Sequence, residues 1–289
     1  MTPDPPIIEL RNFRYTYLEG TPRANEAIRD VSFEIRHGER VAIVGATQSG
    51  KSTIVDSFVH LLRLKRGQVF YEGEDVAAPG YDRGALRRKV GIVFQRPDSQ
   101  LIEDVVGADV AFGPTAAGLP AAETRQRVEE SLNALGLPYP EFRLRYVHAL
   151  SGGQRRRVAI AGVLAMRTPV LVLDEPMAGL DPRGRRELLE LLQRLADDRD
   201  LTLVVCSASL SDASLLCDRV VVLSEGRVAM DGPLREVLRE ADRLAALGIT
   251  LPEPTAGARE LRELFPDLPP DVLTEEELEA EILERLGAA

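Results

Sequence analysis

Lys51 and Ser52 close the run Gly45-Ala46-Thr47-Gln48-Ser49-Gly50-Lys51-Ser52-Thr53, which follows four apolar residues at 41–44 and leads into a helical pattern. Gly-x-x-x-x-Gly-Lys-Ser between a strand and a helix suits the binding of phosphate. The turn exposes successive backbone N–H groups, and the helix N-terminus adds the positive end of its dipole. A nucleoside triphosphate is the expected ligand: Lys51 reaches the β- and γ-phosphates, and the Ser52 hydroxyl offers a hard oxygen ligand to Mg²⁺. Taken alone, the stretch also reads as an ordinary glycine turn.

A second run, Pro169-Val170-Leu171-Val172-Leu173-Asp174-Glu175, is too short for a membrane span and ends in two carboxylates, as a buried parallel strand carrying a metal site does. Asp174 is the expected Mg²⁺ holder, usually through a water, and Glu175 the group that polarises the water attacking the γ-phosphate. Standing alone, the pair also reads as surface carboxylates at a strand end.

Between the two lies Leu150-Ser151-Gly152-Gly153-Gln154, followed by Arg155-Arg156-Arg157-Val158-Ala159-Ile160-Ala161. This resembles the signature motif of ABC ATPases. The resemblance implies that Ser151, Gly152, Gly153 and Gln154 contact the γ-phosphate held by an opposite subunit, so that two chains sandwich two nucleotides. Ser151 is a good N-cap, and the glycines let backbone N–H groups approach an anion. The arginine run reads as a solvated helix face rather than a nucleic-acid patch.

The same resemblance extends from about residue 7 to 235. Tyr17, 28 positions before Gly45, looks like the aromatic that stacks on adenine, with Tyr15 as the competing candidate. Gln95 looks like the glutamine that touches Mg²⁺ and moves with the membrane partner. Ala178-Gly179-Leu180-Asp181 resembles the D-loop that connects the two nucleotide sites. Within the family, Phe94-Gln95-Arg96-Pro97-Asp98-Ser99-Gln100-Leu101 with Asp109-Val110-Ala111-Phe112-Gly113-Pro114 and Gly118-Leu119-Pro120 is similar to the ATP-binding subunit of energy-coupling factor transporters, importers of vitamins or of cobalt and nickel ions. That likeness implies a groove for a helix of a transmembrane coupling protein. Leu101, Ile102, Val105, Val106 and Val110 are expected to line it, and Asp98, Glu103, Asp104 and Asp109 to offer carboxylates to basic partner residues. A helix packing its apolar face on its own core is the alternative.

Three positions depart from the family pattern. Gln48 stands where glycine is usual, Met177 where threonine or serine is usual, and Ala208 at the switch histidine. Ala208 has no side chain to bond a γ-phosphate or to hold Glu175.

The 289 residues allow a large core and an extension. The expected division is an ABC ATPase domain at 1–240, with a helical signature subdomain at about 97–165, and an acidic helical extension at 241–289 that is a candidate dimerisation element. The fold class expected is α/β, a P-loop NTPase of ABC type with a β subdomain. Strands near 7–12, 31–36 and 40–44 are assigned to that subdomain, and strands near 90–94, 169–174, 202–206 and 219–223 to a parallel sheet. Residues 252–289 hold eleven acidic and three basic residues, −8 of the chain's net −10, so the remainder is near neutral and carries no nucleic-acid footprint. Helical patterns at 256–264 and 274–286 make that tail a folded element, with a solvated acidic tail as the alternative. No apolar stretch approaches the ~20 residues of a membrane span, and the N-terminus does not read as a signal peptide. Cys206 and Cys217 read as buried thiols, and the three histidines form no metal cluster.

The function expected is that of an ATP- and Mg²⁺-dependent hydrolase subunit, peripheral on the cytoplasmic face of the membrane. Its partners are a second ABC ATPase in a homo- or heterodimer, a transmembrane coupling protein and a membrane substrate-binding protein, and no nucleic acid. The alternatives are an ATPase of another ABC importer or exporter, and a soluble ABC protein acting on nucleic acid or ribosomes.

Overall fold

The computed structural model describes residues 4–96, 99–198 and 201–287. In chain order the strands are β1 (Ile8–Tyr17), β2 (Asn25–Ile35), β3 (Arg40–Val44), β4 (Val69–Tyr71), β5 (Glu74–Asp75), β6 (Val90–Val93), β7 (Val170–Asp174), β8 (Thr202–Ser207), β9 (Arg219–Ser224) and β10 (Arg227–Pro233). The helices used below are α1 (Lys51–Phe58), α2 (Arg83–Lys89), α3 (Val106–Ala116), α4 (Ala121–Ala134), α5 (Tyr139–Phe142), α6 (Gly152–Ala165), α7 (Pro182–Asp198), α8 (Leu210–Ala213), α9 (Leu234–Arg239), α10 (Ala241–Ala246), α11 (Glu253–Leu261) and α12 (Glu275–Leu286).

The strands follow the order β5-β4-β1-β2-β10-β9-β3-β8-β7-β6. Strand β3 pairs in parallel with β8 and β9, and β7 pairs in parallel with β6 and β8. Their residues alternate between two cores as a period of two requires. Ala42, Val44, Leu171, Leu173, Leu203, Val205, Val220 and Val222 face the core completed by α3, α4, α6 and α7. Val41, Ile43, Val170, Val172, Val204, Cys206, Val221 and Leu223 face the core completed by α1, β1 and β2. Burial on both faces explains why these strands are continuous apolar runs without polar alternation.

The assignment of 40–44 to the β subdomain is therefore corrected: β3 lies inside the parallel set, between β9 and β8. Strands β1, β2, β4 and β5 pair antiparallel with one another outside that set, and β10 pairs antiparallel with β9 at its edge. β1 and β2 are also longer than expected: with register shifts between Leu10 and Thr16 the pairing continues to Tyr17 and Asn25. Strands β4 and β5, of three and two residues, are too short to carry a periodic signal. No helix among the described residues is long and apolar enough to cross a membrane.

At the C-terminus, α11 begins at Glu253 rather than 256, because Pro254 occupies its first turn, where a missing N–H costs nothing. Ala258, Leu268 and Val272 form a small core of their own, with Leu261, Phe265 and Leu278 against it. Ion pairs Arg235–Glu277 (2.8 Å) and Arg239–Asp271 (3.0 Å) tie this unit to α9. Thr274 caps α12 by accepting the Glu277 N–H at 3.1 Å, while the Glu277 carboxylate reaches back to the Leu273 N–H at 2.9 Å.

Inside this unit the wholly buried Thr255 hydroxyl donates to the Val272 carbonyl at 2.5 Å. Thr255→Val keeps the shape and orphans that carbonyl, so it should weaken the unit by about 1–3 kcal/mol. Limited proteolysis should then cut within 253–286 while the β3-centred sheet stays resistant. Unchanged cleavage would show that the bond is not what holds the unit.

Candidate active site

The phosphate loop leaves β3 at Gly45, which has no room for a side chain: a Cβ there would stand 2.4 Å from both the Leu223 carbonyl and Ser49 Oγ. Gly50, at φ 108°, precedes α1 without a side-chain cap, so the first N–H groups of α1 face the loop uncovered. Gln48 sits at φ 68°, a left-handed conformation that costs a non-glycine residue about 1–2 kcal/mol, which gives a physical reason for glycine being usual there. Ala46, Thr47 and Gln48 are exposed along the rim.

Lys51 is buried. Its Nζ donates to the Gly45 carbonyl at 2.6 Å and to the Ala46 carbonyl at 3.3 Å, and lies 3.9 Å from Glu175 Oε1. The Ser52 hydroxyl lies 3.5 Å from Asp174 Oδ2. The parallel register of β3, β8 and β7 brings α1 and the carboxylate pair together, because the C-terminal ends of these strands lie on one edge. Burial pushes both carboxyls above their ordinary range; at Glu175 the Lys51 ammonium pulls the other way and Asp174 adds to the rise.

Glu175 has a left-handed backbone, φ 49°, held by its N–H donating to the Cys206 carbonyl at 2.8 Å. Its side chain meets β8's end: Ser207 Oγ lies 3.5 Å from Glu175 Oε2, and the Ala208 backbone N–H is also directed at the carboxylate. The switch position thus offers main chain and a neighbouring hydroxyl where a side chain is missing. Met177 is buried in the α6–α7 core, which accounts for an apolar residue there.

Tyr17 ends β1 half-exposed, its hydroxyl 3.1 Å from the buried Thr53 Oγ1 and its ring edge-to-face with Tyr15 at 4.9 Å. Tyr15 packs on the β1–α1 core, so of the two tyrosines Tyr17 is the one at the mouth of the loop. Gln95 lies exposed just past β6. Ser151 caps α6 by accepting the Gln154 N–H at 3.2 Å while Gln154 Oε1 accepts the Ser151 N–H at 3.0 Å, leaving Gly152 and Gly153 without side chains over the helix start. Asp181 Oδ1 accepts the Gly184 N–H at 3.0 Å and so caps α7.

Several sequence expectations change here. The arginine run is not a solvated face: Arg156 is 8% exposed and donates to the carbonyls of Glu175, Pro176 and Gln95. Val106 and Val110 are fully buried in the core instead of lining a groove. Asp109 is also buried, its Oδ1 taken by the N–H groups of Ile102 (2.7 Å) and Glu103 (3.0 Å), so it holds a loop rather than offering a carboxylate outward. The apolar surface is made by Ile102 (66% exposed), Phe112 (46% exposed), Leu144 and Tyr146. Ile102 and Phe112 line a cleft of about 250 Å³, and Leu144 lines a groove of about 600 Å³ between α3, α4 and α5. Asp98 lies outside the described residues.

The donor set fits a polyanion with a small cation. Lys51 and the uncapped first turn of α1 lie beside the Ser52–Asp174 pair, and the buried Ser49 hydroxyl has no hydrogen-bond partner among the described residues. Among the described residues no three His, Cys, Asp or Glu side chains could hold a metal ion by themselves, so a cation here draws its remaining ligands from phosphate and water.

A model of the ABC transporter family matches residues 28–178. The energy-coupling factor transporter ATP-binding protein EcfA2 of Caldanaerobacter subterraneus subsp. tengcongensis is 41% identical over 279 residues, 96% of this chain and 97% of that protein. The protein named EcfA1 of Symbiobacterium thermophilum is 44% identical over 277 residues, 94% of this chain and 95% of that one. The solved structure of cbiO1 from Clostridium perfringens, described as part of the ABC transporter complex cbiONQ, matches with a TM-score of 0.75 at 33% identity, over 91% of this chain and 97% of that one. By these matches the chain belongs to the ABC transporter family of ATPases and, within it, to the energy-coupling factor transporter ATP-binding proteins.

Proposed function

We propose that this chain binds MgATP between Tyr17, the loop from Gly45 to Thr53, and Asp174, and hydrolyses it with Glu175 as the group that activates water. It does so as one half of an ATP-sandwich dimer. The observation that carries this reading is the meeting of Lys51, Ser52, Asp174 and Glu175 at one edge of the sheet. Lys51, now on loop carbonyls, turns its ammonium to the β/γ-phosphates; those carbonyls mark where phosphate oxygens compete for it. Ser52, Asp174 and Gln95 are the residues that would hold Mg²⁺, which when bound would supply charge neutralisation to the phosphates. Glu175 accepts the proton of the attacking water, held by Ser207 Oγ and the Ala208 N–H. The Ser151–Gln154 helix start and Asp181 serve the nucleotide of the paired subunit.

Lys51→Ala should abolish tight ATP binding, while Glu175→Gln should retain binding and lose hydrolysis. Because the folded-state carboxyl of Glu175 is raised, its contribution to stability is full below the unfolded value and lost as pH rises through the folded one. Glu175→Gln should therefore melt higher than wild type at pH 7, and the gap should close as pH falls into the carboxylate range. A constant gap, or ATP binding kept by Lys51→Ala, would remove this assignment.

We read the chain as peripheral on the cytoplasmic face of the membrane, energising import of a vitamin or a transition-metal ion whose recognition lies on another polypeptide. A transmembrane coupling protein docks a helix on the surface around Ile102 and Phe112, beside Gln95. Residues 1–240 are the catalytic domain, with the helical subdomain at about 97–165, and 241–289 contact the paired ATPase. Ile102→Glu with Phe112→Glu should release the chain from its membrane partner in pull-downs without lowering its melting temperature. Retained association would place the docking surface elsewhere.

The paired ATPase is a second, different chain, and the two nucleotide sites are unequal. A lost transition-state contact commonly costs 10²–10³ in rate, about 2.7–4 kcal/mol, so the site holding Ala208 turns over slowly. Ala208→His should raise hydrolysis at this site; vigorous turnover by the isolated chain, unchanged by Ala208→His, would refute the asymmetry.

A further inference from the structure

Arg156 lies within the second turn of α6, on the helix whose start carries Ser151–Gln154, and no step of hydrolysis described above uses it. The residue is 8% exposed, and its guanidinium bridges two loops. Nη1 donates to the Glu175 carbonyl at 3.0 Å and to the Pro176 carbonyl, and Nη2 donates to the Gln95 carbonyl at 3.2 Å. These loops leave the ends of β6 and β7, which are adjacent parallel strands. Beyond the last ladder bond their carbonyls have no strand partner, and a buried carbonyl left unsatisfied costs about 1–3 kcal/mol.

We propose that Arg156 is a positioning residue that couples the Gln95 loop to Glu175, so that displacement of one loop is felt by the other. The guanidinium is planar, its donors stand in a fixed fork, and it keeps its charge at any pH the protein meets, so it acts as a rigid bracket and not as a flexible tether. Its grip falls on a residue that needs one. Glu175 is in the left-handed region, and its peptide groups are held on both sides, by N–H to the Cys206 carbonyl and by C=O to Arg156 and to the Ala178 N–H (3.1 Å). Loss of one side lets the backbone relax and the carboxylate swing. Movement of α6 or of the Gln95 loop reaches the same bracket, which gives partner docking and signature engagement one shared route to the carboxylate.

The catalytic part of this inference rests on the reading of Glu175 as the group that activates water; the mechanical part does not. Amide hydrogen exchange on the full chain, with Arg156→Gln, reads the mechanical part at Phe94, whose N–H donates to Gln100 Oε1, and at Glu175 and Ala178. Exchange at both loops should quicken together, by about tenfold or more. If only one loop quickens, or neither, the coupling is wrong. In the ATPase assay Arg156→Gln should lower kcat by about 10–100-fold with KM for ATP within about threefold, as expected for a misplaced group in a formed binding site. Both loops loosened with kcat within twofold of wild type would also overturn the proposal. Arg156→Lys keeps the charge but cannot span both loops; it should retain more activity than Arg156→Gln and still free the Phe94 amide, and it carries the test if Arg156→Gln does not fold. Wild-type turnover by Glu175→Gln would instead sink the role given to Glu175, and the exchange result would stand apart from it.

Discussion

The site depends on keeping an ammonium and two carboxylates together below the surface. Lys51 and the Asp174–Glu175 pair lie more than a hundred residues apart in sequence, and burial works against the charged form of both acids. What makes the arrangement tolerable is the opposite charge of Lys51, 3.9 Å from Glu175, and the frame that keeps it there. That frame is the parallel register of β3, β8 and β7, fixed by side chains that alternate strictly between the two cores. A slip of one residue in β7 would turn Leu171 and Leu173 toward the wrong core and Asp174 away from Ser52.

Two of the chain's left-handed non-glycine residues stand at this edge. Gln48 and Glu175 both adopt left-handed conformations that side-chain-bearing residues rarely take, one in the phosphate loop and one at the carboxylate. At Glu175 the surrounding bonds over-determine the conformation: the Cys206 carbonyl, the Ala178 N–H and Arg156 all grip its peptide groups. The strained peptide is thereby joined to α6 and to the loop carrying Gln95.

Local features of this chain were legible from sequence, and non-local ones were not. The glycine loop, the capped start of α6 at Ser151–Gln154 and the carboxylates closing β7 are each written in a few consecutive residues, where turn and cap chemistry is decisive. Misreadings arose where a partner far along the chain decides. Strand β3 looks like an extension of the preceding strands until β8 and β9 close around it. Arg156 reads as a solvated charge because nothing in its own helix reveals the carbonyls of residues 95, 175 and 176 above it. Asp109 reads as an outward carboxylate because the loop that folds back onto it, Ile102 and Glu103, carries no sequence signal for doing so. Ile102, which precedes α3, is already legible in sequence as an apolar surface residue, whereas Phe112 emerges only once Val106 and Val110 of α3 are turned inward.

The three departures from the family pattern differ in physical weight. Met177 adds volume to a core that encloses it, so its replacement of a smaller polar residue is a packing matter. Gln48 accepts local strain on an exposed rim, where its side chain is free to point to water. Ala208 is of another kind, since it offers no side-chain donor to the edge where Glu175 stands. Ser207 Oγ, already accepting the Ser209 N–H at 3.1 Å, reaches Glu175 Oε2 only at 3.5 Å, the outer limit of a hydrogen bond. The carboxylate is therefore held more firmly through its own backbone than through its side chain, which leaves its orientation dependent on whatever grips the peptide from α6.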